Sequence, residues 1–240
     1  MVKGIEKFKE YFSEYAECYV VIGGTACDLH ESQFEQIPRA TKDIDIVLVV
    51  EALTDSFVER FWQMIKDGQY GDRNMGMKNN EFQKHEYYRF KKPADTSFPY
   101  QLELFSRRLG LINAPTDAHL TPIPTGEDLS SLSAILMDDQ YYNFTLEHST
   151  IVDGVHIANI GALICLKAKA YLEMLTRKEL EGIVDSKDLR KHKNDVYRLA
   201  TMLAVNNPVA LPPNLQSHLA DFLDKTRSDL PNGDFFKAAG

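Results

Sequence analysis

The sequence predicts an α+β fold, a mixed sheet flanked by helices with a C-terminal helical subdomain. Three observations carry that prediction. The runs "CYVVIG", "KDIDIVLVV" and "FPYQLELFS" are short, apolar or alternating, and read as strands. Helical periodicities stand between these runs, which places helices and strands in one domain. After about residue 158 the strand pattern stops and long helical stretches take over. The division is therefore drawn between a domain at 1–157 and a helical subdomain at 158–240.

The elements follow in order. Residues 4–17 read as a helix with Ile5, Phe8, Phe12 and Tyr15 on one stripe. "CYVVIG" is a buried strand ending at Gly23, and "GTACDLHES" is a helix that opens at the glycines. Residues 31–41 contain Pro38 and read as a loop. "KDIDIVLVV" is the clearest strand. "DSFVERFWQMIKD" is a helix capped by Thr54 or Asp55. Residues 68–80 are rich in Gly, Asn and Asp and read as a loop. "KHEYYRF" and "FPYQLELFS" are strands, and "YNFTLEH" with "IVDGVHI" is read as a hairpin. Residues 110–138 give no clear pattern. "NIGALICLKAKAYLEMLTRK", "SKDLRKHKNDVYRLATMLAV" and residues 212–228 are helices.

Composition narrows the function classes. The 240 residues are 44% apolar and 26% charged, as in ordinary globular proteins. No run approaches the roughly 18 apolar residues of a membrane span, so no membrane partner is expected. The charged, amphipathic first residues do not read as a signal peptide. Cys18, Cys27 and Cys165 are scattered and odd in number, which suits a reducing cytoplasm and neither a disulfide framework nor a zinc site. A net charge of −8 argues against a general nucleic-acid coat protein, which would be basic.

Asp43 and Asp45 raise the chemical question. Strand side chains alternate, so both carboxylates face one way while Ile44, Ile46 and Leu48 face a core. They sit about 6–7 Å apart along the strand and can converge on one cation. Hard cations such as Mg²⁺ take oxygen ligands and bridge carboxylates to phosphates. The plainer reading is a solvated strand end. Glu103 is the lone acid in "YQLELFS", on the face of Gln101 and Phe105. A strand beside the first would bring it to Asp43 and Asp45, and three carboxylates can hold two metals for phosphoryl displacement. The plainer reading here is an edge-strand glutamate. Gly23 and Gly24 stand between strand and helix, where a backbone approaches a ligand closely and helix N–H groups meet an anion. Thr25 adds a hydroxyl to this triphosphate seat.

The run Gly23, Gly24, Thr25, Ala26, then Arg39, Thr41, Asp43 and Asp45, then a lone acid on a later strand, resembles the polymerase-beta-type nucleotidyltransferase superfamily. It is most similar to the AbiEii/AbiGii-type toxin branch, bacterial proteins tied to abortive phage infection and toxin–antitoxin pairs. The glycine-to-aspartate portion covers residues 20–50, and Glu103 is assigned by order and strand context. The resemblance implies a nucleotidyltransferase-like sheet, a nucleoside triphosphate, Mg²⁺ or Mn²⁺ at Asp43, Asp45 and Glu103, and transfer of a nucleotidyl group to an acceptor. It also implies a possible cognate antitoxin.

The helical tail adds candidates. Lys167 lies within a stripe of Ile160, Leu163, Ile164, Tyr171 and Met174. It either snorkels to water or points into a cleft to meet phosphate. Lys169 sits off the stripe and reads as a surface charge. The next helix has Leu189, Val196, Leu199 and Leu203 on one face, flanked by Lys187, Lys191, Asp195 and Arg198. That basic half meets a phosphate or RNA backbone, or is simply solvated. Toxins of the resembled branch carry a lysine on one C-terminal helix and an aspartate on the next, and Lys167 and Asp195 match them. The nucleotide-binding candidates are then Gly23, Gly24, Thr25, Arg39, Thr41 and Lys167, and the catalytic ones Asp43, Asp45, Glu103, Lys167 and Asp195. Three acceptor readings stay open: an RNA end, a small molecule or protein, or no acceptor at all in a nucleotide- or partner-binding module.

Overall fold

The computed structural model of the chain describes residues 2–38, 41–70, 88–105, 138–182, 185–204 and 206–239. The architecture is α+β, with a six-stranded mixed sheet flanked by helices. Helix α1 (Ile5–Phe12) runs into a 3-10 segment at Ser13–Cys18. It buries Ile5, Phe8 and Phe12, whereas Tyr15 leaves helical geometry at φ −119°. Then come β1 (Tyr19–Ile22), α2 (Gly23–Gln33), β2 (Asp43–Leu48) and α3 (Asp55–Asp67). Thr54 caps α3, its side chain accepting from the Phe57 amide, because a hydroxyl there satisfies one of the open N–H groups of the first turn.

Strands β3 (Tyr88–Lys91) and β4 (Gln101–Phe105) follow. The first residues of the expected strand "KHEYYRF", residues 84–87, and the stretch 110–137 lie outside the described residues. The expected hairpin is corrected. "YNFTLEH" belongs to helix α4 (Asp139–Glu147), which buries Tyr141, Tyr142, Phe144 and Thr145. That spacing is helical rather than alternating, and Asp138 caps it through the Gln140 amide. The hairpin is instead β5 (Ser149–Val152) and β6 (Val155–Ala158). Asp153 and Gly154 join them, at φ 50° and 75°, the left-handed pair that a two-residue hairpin turn requires.

The strand order is β3-β4-β2-β1-β6-β5. Strand β2 pairs antiparallel with β1 and parallel with β4; β1 pairs parallel with β6, and β3 antiparallel with β4. Ile46 and Leu104 share an apolar space with Phe8, Phe12, Phe57 and Phe61 of α1 and α3. One face of β2 and β4 is thereby fixed as core, and the residues that alternate with these face away from it.

The described chain divides into two compact units. One holds residues 2–25, 41–70, 88–105 and 151–157; the other holds 26–38, 138–150, 158–182, 185–204 and 206–239. In the second, α5 (Ile160–Glu181) packs on α6 (Ser186–Ala200) and α7 (Pro213–Thr226), and α8 (Gly233–Ala239) ends the described chain. The stripe expected on α5 proves too narrow. Ala162, Leu163, Ile164, Cys165, Leu166, Lys167, Ala168 and Ala170 are all buried, as in a helix covered on most sides. Leu203, expected on the apolar face of α6, lies beyond that helix and is 45% exposed. Among the described residues no helix is long and apolar enough to cross a membrane.

Candidate active site

The first unit gathers the carboxylates. Ile44, Ile46 and Leu48 of β2 point into the core, each at most 2% exposed, so Asp43 and Asp45 lie on the other face, half-buried. Parallel pairing of β2 with β4 sets Asp45 directly opposite Glu103 and Asp43 opposite Gln101. Directly paired residues share a face of the sheet. Asp43, Asp45, Gln101 and Glu103 therefore form one polar patch. Glu103 is 6% exposed, which is not the water-facing glutamate of an edge strand. Its Oε1 accepts a hydrogen bond from Nε2 of Gln101. Oδ1 of Asp43 is out of solvent and takes no hydrogen bond from the described residues, a costly state for a carboxylate oxygen.

The glycine turn bears directly on this patch. Ile22 of β1 pairs with Asp45, so Gly23 comes next to that aspartate. Gly23 has φ +70°, and a Cβ on it would lie 2.0 Å from Oδ2 of Asp45. Only glycine gives both the backbone conformation and the space. Gly24 is half-buried in the first turn of α2. Thr25 is fully buried, and its Oγ1 donates to the backbone oxygen of Asp43 at 2.7 Å. A hydroxyl has one proton, so Thr25 ties α2 to β2 and has no donor left for a phosphate. Thr41 is half-buried just before β2, and Arg39 lies outside the described residues.

Asp43 and Asp45 offer the oxygen donors that a hard cation takes, and among the described residues nothing donates to the buried Oδ1 of Asp43. Glu103 neighbours them in register. Even so, among the described residues no group of three or more His, Cys, Asp or Glu side chains is placed to hold a metal ion.

The second unit joins the other two candidates. Lys167 on α5 and Asp195 on α6 are 6% and 5% exposed, and Nζ donates to Oδ2 at 2.7 Å. The snorkelling reading of Lys167 is thus replaced by a buried ion pair, the arrangement that a buried lysine requires. Cys27 stands near this pair; burial pushes its thiol up to about 12, with the Lys167 ammonium pulling the other way. The flanking basic residues of α6 part company. Lys187 and Lys191 are exposed, whereas Arg198 grips both oxygens of buried Glu31 at 2.9 and 3.1 Å. Lys193 is buried and bonds Asp229, which holds the Asp229 carboxyl below its ordinary range. Lys169 contacts Glu173 and the ring of His218, so it is not a bare surface charge.

Sequence reasoning missed Gln101 and Glu31. Alternation already put Gln101 on the face of Glu103, and that was the available signal. Glu31 had none, because its partner Arg198 comes from a distant helix. No family model, curated protein or solved structure matches the chain.

Proposed function

We propose that the chain is a metal-dependent nucleotidyltransferase that moves a nucleotidyl group from a nucleoside triphosphate to an acceptor. The observation that supports it is the pairing of Asp45 with Glu103, and of Asp43 beside them, at the turn where Gly23 opens α2. Asp43 and Asp45 would hold Mg²⁺ or Mn²⁺, which when bound neutralises phosphate charge and polarises the α-phosphorus. The backbone N–H groups at Gly23 and Gly24 face the role of triphosphate seat, since Thr25 is committed to Asp43. Glu103 takes the proton of the acceptor hydroxyl. The acceptor oxygen bonds the α-phosphorus, the bond to the β-phosphate oxygen breaks, and pyrophosphate leaves with that electron pair.

An RNA end is the acceptor that suits a toxin relieved by a cognate antitoxin; a small molecule or protein suits the acidic net charge. One observation favours a non-catalytic nucleotide- or partner-binding module. Thr25 and Lys167, both candidates for phosphate, already donate to Asp43 and Asp195.

The test supplies each α-labelled nucleoside triphosphate with Mg²⁺ or Mn²⁺ and with RNA, protein or no acceptor, beside Asp43→Ala and Asp45→Ala. Label that depends on both aspartates supports the transferase, and the labelled fraction names the acceptor. Transfer that survives Asp43→Ala sinks it. Nucleotide binding without transfer to any acceptor moves the reading to the binding module.

A further inference from the structure

We infer that Lys91 holds a phosphate of the acceptor, which makes that acceptor an RNA end rather than a neutral hydroxyl on a protein or small molecule. The inference rests on reading Asp43, Asp45 and Glu103 as a nucleotidyl-transfer site. Strand β3 is the last of the described sheet on the β4 side. It sets Arg89 opposite Glu103 and Lys91 opposite Gln101, and Gln101 in turn stands opposite Asp43. The direction of the Lys91 side chain follows from its neighbour. Phe90 is buried against Phe61 and Trp62 of α3, with ring centroids 5.5 and 5.8 Å away, so it belongs to the core face. Lys91 therefore turns to the opposite face, the one that carries Asp43 and Gln101.

The order across the sheet gives this lysine its task. The glycine turn follows β1, the aspartates lie on β2, Glu103 on β4 and Lys91 on β3. In-line displacement puts the attacking hydroxyl and the leaving pyrophosphate on opposite sides of the α-phosphorus. With the triphosphate seated at Gly23 and Gly24, the acceptor enters from the β4 side. There it meets Lys91, two strand spacings or about 10 Å from Asp43. Lys91 is half-buried, and its ammonium has no hydrogen bond or ion pair among the described residues. Lys42, by contrast, is laid over the ring of Tyr100 at 4.5 Å. A neutral acceptor has no need of a cation there. An acceptor that carries phosphates does, because the chain has a net charge of −8 and the patch itself holds three acids. Lysine meets a phosphate as a point charge.

The experiment measures binding of a short single-stranded RNA to the full chain by fluorescence anisotropy, with Mg²⁺ present. A companion set of RNAs each carries one neutral methylphosphonate linkage near the free hydroxyl. Lys91→Met is expected to bind the native RNA about tenfold more weakly and to lower the salt slope of log affinity by about 0.7. Lys91→Arg keeps the charge and is expected to stay within about twofold of the parent. At one of the neutral linkages the parent is expected to lose about tenfold and Lys91→Met no more than about twofold, since both changes remove the same contact. A damaged fold would lose the same factor on every RNA. If Lys91→Met does not fold, Lys91→Gln replaces it. Three results overturn the inference alone: equal RNA binding by Lys91→Met and the parent, an equal loss in Lys91→Met and the parent at every neutral linkage, and nucleotidyl label that passes to protein or a small molecule at the parental rate in Lys91→Met. Label transfer that survives Asp43→Ala sinks the site reading instead, and the anisotropy does not depend on that result.

Discussion

A methyl group on Gly23 would lie 2.0 Å from Oδ2 of Asp45, closer than any carbon and oxygen can stand without a bond. Gly23 also holds φ +70°, a conformation that costs other residues about 1–2 kcal/mol. Gly23→Ala is therefore expected to do two separable things. Thermal unfolding will show a loss of at least that size. The proposed nucleotidyl transfer is expected to fall to the level of Asp45→Ala, because the carboxylate must move away. A Gly23→Ala protein with full transfer would show that Asp45 need not occupy its present place.

The Lys167–Asp195 pair gives a stability prediction. Lys167→Met leaves a buried carboxylate without its ammonium partner, and removing one partner of such a pair costs about 3–5 kcal/mol. The double variant Lys167→Met/Asp195→Leu is expected to regain most of that loss, since no charge is left to desolvate. Urea unfolding of the single and double variants checks both. Equal losses in the two would place the role of the lysine outside the pair.

Two histidines set a pH dependence. Burial lowers His30 below its ordinary value of 6.5, while its Nε2–H donates to the Ala158 carbonyl at 2.9 Å. Burial, and then the Lys169 ammonium, lower His218. That ammonium can only donate, so Nε2 of His218 accepts at 3.2 Å and the ring proton sits on Nδ1, facing the Tyr141 hydroxyl. In both cases the unfolded chain binds protons more readily than the folded one. Their contribution to stability is full above about pH 6.5 and is lost as pH falls through the folded values. Urea midpoints at pH 7.5 and 5.5 will differ by less in His30→Asn and His218→Asn than in the parent chain.

The cysteines give a chemical readout. Cys18, Cys27 and Cys165 are buried and unpaired with one another. Burial pushes Cys27 and Cys165 up to about 12 and raises Cys18 as well. Thiolate is the reactive form, so a disulfide reagent at pH 8 should leave all three unmodified in the folded chain and label three per chain in denaturant. Fast labelling of Cys27 in the folded state would contradict the packing around Lys167.

Much of this fold is written in local pattern. Alternation in "DIDIVL" placed Asp43 and Asp45 opposite the core, and of the two caps that the sequence offers for α3, Thr54 and Asp55, it is Thr54 that caps it. "YNFTLEH" misled because aromatic and β-branched residues suit strands, while burial at successive helical positions, which decides the matter, comes from tertiary neighbours. The site was legible in part for a related reason. Side-chain direction follows from strand alternation, and so Glu103 could be matched to Asp45. Hydrogen-bond commitments do not follow from it. That Thr25 serves Asp43, Gln101 serves Glu103 and Lys167 serves Asp195 depends on distances that no spacing encodes.

Strands β2 and β4 lie side by side and parallel, yet α3 and β3 come between them along the chain, and β1 waits for β6 from much further on. Parallel neighbours of this kind close long loops and form late. A nascent chain still on the ribosome carries Asp43 and Asp45 well before it carries the strand that Glu103 belongs to. Proteolytic fragments and prematurely terminated products that stop short of β4 share that deficit. The pairing of Asp45 with Glu103 cannot exist before the chain has passed β4.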